Sequence, residues 1–273
     1  MLRSTYKFLS VSALAFAALS GPSFAGTCDL SDGFGITPAA FQEEAASCLE
    51  GMAGVTADTS LENDLMRLAG ERRAAVGGGE MAPLASLTEA ARLHAYDMAV
   101  RGYAAHEDLE GRSHLDRVRM IDRTRLIGAF GANVVVVKAG LPAEEIQKLI
   151  LADAANASNF TRNAFDHMGV GLVEADGMLY IVELFARVDG VLETPLPAVA
   201  SPGMKLAADF SDDKLEAVGW SVVSARGDTL MRGIGGKLPA TLPAIEEGFL
   251  QMDVAYGEDI YTLKGPALSS SSL

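Results

Sequence analysis

This chain of 273 residues is short of cysteine, of positive charge and of long apolar runs. Each shortage excludes something. Beyond residue 25 no stretch approaches 18 uninterrupted apolar residues, so the exported chain is expected to carry no integral membrane segment. Lysine and arginine number 22 against 36 aspartates and glutamates. Such a surface repels phosphate backbones and anionic headgroups, which argues against nucleic acid and against electrostatic membrane binding. Only two cysteines occur, Cys28 and Cys48.

The apolar run that does exist lies at the start. Arg3 and Lys7 precede "FLSVSALAFAALS", and "SFA" ends at Ala25 with small residues. Residues 1–25 therefore read as a removed secretory signal. Its removal takes two basic residues and no acidic ones, leaving 20 against 36, or −16. In an exported protein an even pair of cysteines reads as a disulfide. A Cys28–Cys48 bridge would close a loop of about 20 residues, worth about 3 kcal/mol in the loop-entropy model. It would staple an N-terminal extension, residues 26–60, with little else to hold it.

From Leu61 the pattern turns helical. Leu61, Leu65, Leu68, Ala69 and Val76 fall near one face, and "GGGE" at 77–80 stops the run. A second helix is expected at "SLTE", with Ser86 and Glu89 spaced as a capping box. Its stripe of Leu87, Ala90, Ala91, Ala95, Met98 and Ala99 allows close packing. The four valines of 134–137 favour a buried strand. A third helix is expected after Pro142. "MGVGLVEADGMLYIVELFAR" reads as a hairpin, two apolar runs around Glu174-Ala-Asp-Gly177. Proline and glycine accumulate over 190–203, which reads as a linker. Beyond it, 204–273 reads as a small β-rich region with turns at Gly-Asp and Gly-Glu. Helices and strands in this mixture suggest helices on an antiparallel sheet, an α+β fold.

Several segments, in order, resemble the CAP superfamily (cysteine-rich secretory proteins, antigen 5 and plant pathogenesis-related 1 proteins) in its bacterial form. They are "LAGERRAAVG", "LASLTEAARLHAYDMAVRGYAAHEDLEGRSHLDRV", "GANVV", "NASNF" and "GVGLVEADGMLYIVELFA". The resemblance covers residues 61–187. It implies a three-layer α–β–α sandwich over 61–189, with the C-terminal region as an appendage. It also implies a pocket tetrad of two histidines and two acidic residues able to hold a divalent metal such as zinc. The first histidine falls on His106. The glutamate of the family's "GENIA" falls on Ala132, beside Asn133. The second histidine falls on Asn156 and the family's asparagine on Asn159. The second acidic position is Asp153. The expected pocket is thus His106, Ala132, Asn133, Asp153, Asn156 and Asn159, with two ligands replaced. Zinc needs three or four N, S or O donors, so neither a tight zinc site nor another cofactor is expected.

Two roles stand open for His106. It can act as a general base oriented by Asp153 or Glu107, or serve as a satisfied structural polar group. His94 reads as a packed core histidine. His114 reads as a loop residue, with Asp116 and Arg117 as an ion pair at a helix start. His167 is a possible substitute ligand. The "RGD" of 226–228 reads as a hairpin turn, and the sequons at 156–161 carry no weight. The functional expectation is a secreted or periplasmic, non-enzymatic binder of a small apolar, peptide or cell-envelope ligand. The rival is a residual hydrolase using His106 with Asp153 or Glu107.

Overall fold

The computed structural model describes residues 28, 30, 31, 37–52 and 58–270. The segment read as a signal lies outside them. Six helices are described: α1 (Pro38–Met52), α2 (Thr59–Ala75), α3 (Ala85–Arg101), α4 (His114–Ile121), α5 (Ala143–Leu151) and α6 (Ala154–Thr161). Nine strands are described: β1 (Ala82–Pro83), β2 (Arg125–Lys138), β3 (His167–Ala175), β4 (Met178–Leu192), β5 (Ala208–Phe210), β6 (Leu215–Val223), β7 (Thr229–Gly233), β8 (Ile245–Tyr256) and β9 (Asp259–Ser270). They form one sheet in the order β1-β3-β4-β2-β9-β8-β6-β7, with β5 paired to β4. No described helix is long and apolar enough to cross a membrane.

The sheet is antiparallel except for the short β1–β3 pair. Local chemistry sets its hairpins. Ala175 pairs with Met178, leaving Asp176 and Gly177 as the turn, at φ 51° and 72°. Two positive φ values suit a type I′ turn, which tolerates aspartate first and favours glycine second.

Two cores sandwich the N-terminal half of the sheet. On one face α1, α3 and α4 cover Val182, Leu184 and Ala186 of β4. On the other, α2, α5 and α6 cover Ile181 and Phe185 through Leu65, Ile146, Ile150 and Phe160. Period-2 alternation along β4 feeds both cores, giving three layers, α–β–α. Helix α3 is buried almost all round, and its alanines bring its backbone against β3. The "GVG" of β3 matches this approach. A Cβ on Gly169 would lie 2.4 Å from the Thr88 backbone nitrogen, and one on Gly171 2.1 Å from that of Arg92.

Three local expectations are corrected. The capping box is not at Ser86 and Glu89. Helix α3 has Leu84 as its N-cap with no side-chain bond, and the Ser86 hydroxyl donates to Asp122 (2.6 Å). A capping box forms instead at the start of α4, where the Ser113 hydroxyl accepts from the Asp116 amide and the Asp116 carboxylate accepts from the Ser113 amide. The N-terminal extension is held by more than its disulfide. The Cys28–Cys48 bridge is present, with Cα atoms 4.7 Å apart, but Phe41, Ala45 and Cys48 are also buried in the core. Finally, the 190–203 stretch is packed. Leu192, Leu196 and Ala200 enter a third core with Trp220, Leu250 and Leu263, and the Ala200 amide donates to the Ser269 carbonyl. Strands β9, β8, β6 and β7 continue the same sheet past β2. The bridge between the halves is narrow: β2 pairs with β9 at Ile127 and Lys264.

The close approach of α3 to β3 gives a direct test. Gly171→Ala must push backbone against backbone, and is expected to destabilise the protein by about 3 kcal/mol or more in urea denaturation. Gly70→Ala, where a Cβ meets nothing within 4 Å, is expected to be neutral or slightly stabilising.

Candidate functional site

The loop between α3 and α4 carries the histidines, and a buried charge network shapes it. The Asp108 carboxylate is fully buried. One of its oxygens accepts from Arg112 Nε (2.9 Å) and Arg117 Nη2 (2.8 Å), and the other from the backbone amides of Arg112 (2.7 Å) and Glu110 (3.2 Å). Arg117 also lies 3.9 Å from Asp97. Asp97 accepts from Arg101 (3.3 Å) and from the Tyr103 hydroxyl, and Arg101 closes on Glu110. Three guanidiniums, Arg101, Arg112 and Arg117, thus meet three carboxylates, Asp97, Asp108 and Glu110. Buried charges are tolerated when balanced and hydrogen-bonded in this way. Burial together with the Asp97 carboxylate pushes the Tyr103 phenol well above its ordinary range.

This network corrects the reading of Asp116 with Arg117 as an ion pair. Adjacent helical residues point about 100° apart. Asp116 turns back to cap its own helix, while Arg117 turns inward to Asp108. Arg117 then sets the state of His94. Its Nη1 lies 2.5 Å from His94 Nδ1, and His94 Nε2 lies 2.8 Å from the Ala105 carbonyl. Arginine only donates. Nδ1 must therefore accept, and Nε2–H donates to Ala105. His94 is a packed, satisfied core histidine, as its helical position suggests. Burial first, and Arg117 second, lower its pKa to about 3.

His114 is not a loop residue. It opens α4 and is 4% exposed, with neither ring nitrogen hydrogen-bonded. Its ring stands edge-to-face against His94 (centroids 4.4 Å apart) and against His106 (5.5 Å). Burial, then the neighbouring His94 and Arg117, hold its pKa down at about 2. The two histidines of "HEDLEGRSH" therefore meet, though eight residues apart, because Asp108 pulls the intervening loop inward. His106 is the exposed end of this three-ring column. Sequence spacing gives no sign of the column, since it depends on that long-range closure.

The other expected pocket residues belong to a second cluster. Asn133 is buried on β2, opposite Glu183 of β4. Its Nδ2 donates to Glu183 Oε2 (2.9 Å), with the Asn156 carbonyl at 3.4 Å. Asn159 Nδ2 donates to Asn133 Oδ1 (2.7 Å) and to the Ala132 carbonyl (3.2 Å). Asn133, Asn156, Asn159 and the Ala132 backbone are thus brought together. His106 shares no hydrogen bond or ion pair with them among the described residues. Asp153 is exposed and accepts from the Asn156 amide (2.9 Å) as the N-cap of α6. Glu107 is exposed and enters only a backbone bridge to Ser113. Neither carboxylate orients His106. His167 is held by Asp166 (2.6 Å) at the start of β3.

Glu183 is the buried acid that sequence reasoning misses. It is 0% exposed, its Oε1 has no partner, and burial pushes its pKa up to about 7. A glutamate inside the apolar run from Leu179 to Ala186 is the available signal. Zinc does not fit this donor set. Ala132 offers no donor, Asn156 only a weak amide, and His106 leans on another ring. Among the described residues no three His, Cys, Asp or Glu side chains are grouped to hold a metal ion. Clefts of about 700 Å³, between the start of α2 and the β3–β4 turn, and about 590 Å³, on the C-terminal strands, both lie away from His106.

Residues 67–185 match the model of the cysteine-rich secretory protein family, CAP. That segment is a CAP domain. Among solved structures the chain is similar to an outer surface protein of Borrelia burgdorferi, at 15% identity and TM-score 0.41, covering 47% of this chain and 93% of that one. It is similar to an extracellular protein containing an SCP domain from Bacillus anthracis at 17% identity and TM-score 0.41, covering 47% and 41%. It is also similar to a hookworm platelet inhibitor at 16% identity and TM-score 0.29, covering 48% and 70%. No curated protein matches the sequence.

The buried titratable groups fix the sign of two pH effects in this CAP domain. Glu183 titrates higher when folded than when unfolded, so its contribution is full below about pH 4.5 and is lost as pH rises toward 7. Glu183→Gln is expected to flatten the alkaline side of the stability curve, by up to about 3 kcal/mol between pH 5 and 8.5. His114 titrates lower when folded, so its contribution is present above about pH 6.5 and is lost as pH falls. His114→Phe is expected to be near neutral at pH 7 and to make the protein more resistant at pH 5. Urea midpoints across pH 4–9 check both.

Proposed function

We propose that this is a secreted or periplasmic CAP-domain protein whose CAP cleft binds a small apolar, peptide or cell-envelope ligand without catalysing a reaction. The observation that carries the reading is the surroundings of His106. The ring stands exposed on His114 and has no carboxylate partner among the described residues, while the tetrad positions 132 and 156 hold alanine and asparagine. General base catalysis needs a carboxylate or equivalent group to set the imidazole's tautomer, and a nucleophile within reach. Asp153 is committed to a helix cap, and Glu107 takes part only through its backbone. Ser158 donates to the Ala155 carbonyl of its own helix. What remains is an exposed imidazole edge, which suits hydrogen-bonded capture of a ligand more than turnover. The Cys28–Cys48 disulfide supports an oxidising compartment.

Calorimetric titration of the disulfide-bonded protein with zinc tests the depleted tetrad. No stoichiometric micromolar binding is expected. Ala132→Glu combined with Asn156→His is expected to create such binding, and to lose it again when His106→Ala is added. Micromolar zinc binding by the unmodified protein that disappears in His106→Ala overturns the reading. Hydrolysis of a peptide or ester panel that is abolished by His106→Ala overturns the non-enzymatic part.

A further inference from the structure

A cleft of about 230 Å³ opens where the end of β4 faces the C-terminal strands across β2. One face of the sheet lines it. Val254 and Tyr256 stand two apart on β8, and Tyr261 and Leu263 two apart on β9. Val254 pairs with Tyr261, and Tyr256 with Leu215 of β6, so the pleat turns all five side chains to the same side. Val254 and Leu263 are buried and form the floor, while Tyr256 and Tyr261 stand at the rim, 37% and 46% exposed. Arg187 and Asp189, also two apart, complete the lining from β4. Gly128 of β2 makes room for them, because a Cβ there would lie 1.7 Å from Asp189 Oδ2.

The polar groups of this cleft are balanced in charge but not used up. Asp189 is largely buried and accepts from Arg187 Nε at 2.8 Å through Oδ2. Among the described residues, Asp189 Oδ1, the Arg187 Nη groups and both tyrosine hydroxyls have no hydrogen-bond partner. Asp212, also in the lining, accepts from the Lys214 amide at 2.9 Å. The Lys214 ammonium lies over the Tyr256 ring, 5.8 Å from its centroid. Two carboxylates and two cations thus share the cleft and its rim, which selects against an ion of either sign. A cation meets Arg187 and finds the Tyr256 face already taken by Lys214. An anion meets Asp189 and Asp212. What stays available is a set of acceptors, a fork of donors and an aromatic rim. A neutral ring with adjacent hydroxyls answers all three. Its hydroxyls donate to carboxylate and accept from guanidinium, and its C–H face packs on tyrosine.

We propose that this cleft binds the terminal pyranose ring of a neutral glycan. Adjacent hydroxyls of the ring bridge Asp189 Oδ1 and the Arg187 Nη groups, and its C–H face lies on Tyr261. The volume suits one ring, and the exposed tyrosine rim leaves the rest of the glycan outside, in water. All the lining residues lie beyond residue 185, so the site is separate from the matched CAP segment and from His106.

The full disulfide-bonded protein is titrated with the methyl β-glycosides of glucose, galactose, mannose and N-acetylglucosamine, followed by saturation-transfer NMR of the sugar. Saturable binding of at least one is expected, with the protons of its C–H face receiving the strongest transfer. A disaccharide that carries the same ring at its non-reducing end is expected to bind at least as tightly. Asp189→Asn and Tyr261→Ala are each expected to weaken binding at least tenfold. Tyr261→Ala, at an exposed position, does so with the melting transition in place, and Tyr261→Phe, which keeps the ring, costs less than threefold. Tetrahydropyranylmethanol, a similar ring without the adjacent hydroxyls, and choline, a cation suited to aromatic rings, are expected to give no saturable response. His106→Ala is expected to leave the titration unchanged, which separates this site from the CAP cleft. Absence of saturable binding by all four glycosides, exclusion of the disaccharide, equal binding of tetrahydropyranylmethanol or choline, or unaltered affinity in Tyr261→Ala overturns the proposal. So does loss of binding in His106→Ala alone.

Discussion

Asp108 is the constraint on which the histidine loop depends. A carboxylate taken wholly out of water must have its lone pairs filled and its charge matched. Here two guanidiniums and two backbone amides do both. The consequences run outward. Arg112, fixed by Asp108, donates to the Leu30 carbonyl (2.6 Å) and faces the Phe41 ring, so the N-terminal extension is tied to the same group. Arg117, fixed by Asp108, determines the tautomer of His94. The closed loop then delivers His106 onto His114. Removing the Asp108 charge would leave Arg117 buried and under-compensated, and would loosen the loop that brings His106 onto His114.

Backbone proximity is the second constraint. Helix α3 can lie on β3 only because Gly169 and Gly171 present no Cβ toward it. That contact sets the height of the helix above the sheet, and so the height of the loop that follows. A different device organises the C-terminal half. Buried Arg119, reached from α4, donates to the Leu250 and Gly265 carbonyls (2.8 and 2.7 Å) and stacks over Phe249. One arginine thereby fastens the CAP helices to β8 and β9 across a junction where β2 and β9 pair only at Ile127 and Lys264. Burial lowers its pKa to about 10, which still leaves it charged at neutral pH.

The parts of this fold that are legible in sequence are those decided locally. The stretch from Glu174 to Gly177 names a turn, the valines of 134–137 name a strand, and the ordered CAP segments name the three-layer arrangement. The Ser86–Glu89 spacing misleads because the start of α3 sits under Asp122, which takes the serine hydroxyl for itself. The capping box at Ser113 and Asp116 uses aspartate where glutamate is the usual signal, so it does not stand out. The packing of 190–203 is hidden by its prolines, which mark irregular backbone but say nothing of whether that backbone is buried. The histidine column is illegible for a stronger reason. His114 is buried by a loop that closes on Asp108, and no local pattern around His114 encodes that closure.

The same pleat that builds the two cores keeps their chemistry apart. Along β2, Ala132 packs toward the α1, α3 and α4 face, whereas Asn133 turns toward α6 and Glu183. Residues 132 and 133 pair with Leu184 and Glu183 of β4. A carboxylate meant for the His106 side would have to stand at 132, or across from it at 184. The chain has alanine and leucine there, and its buried acid lies one position away, on the opposite face. A one-residue offset on a strand is a complete change of side. Glu183 is therefore no substitute for the acid missing at 132, however close the two are in the ladder. His94 and His114 on one face are held neutral by burial and Arg117, and the carboxyl on the other is held toward its protonated form by burial. With the sheet between them, neither can serve as proton partner to the other.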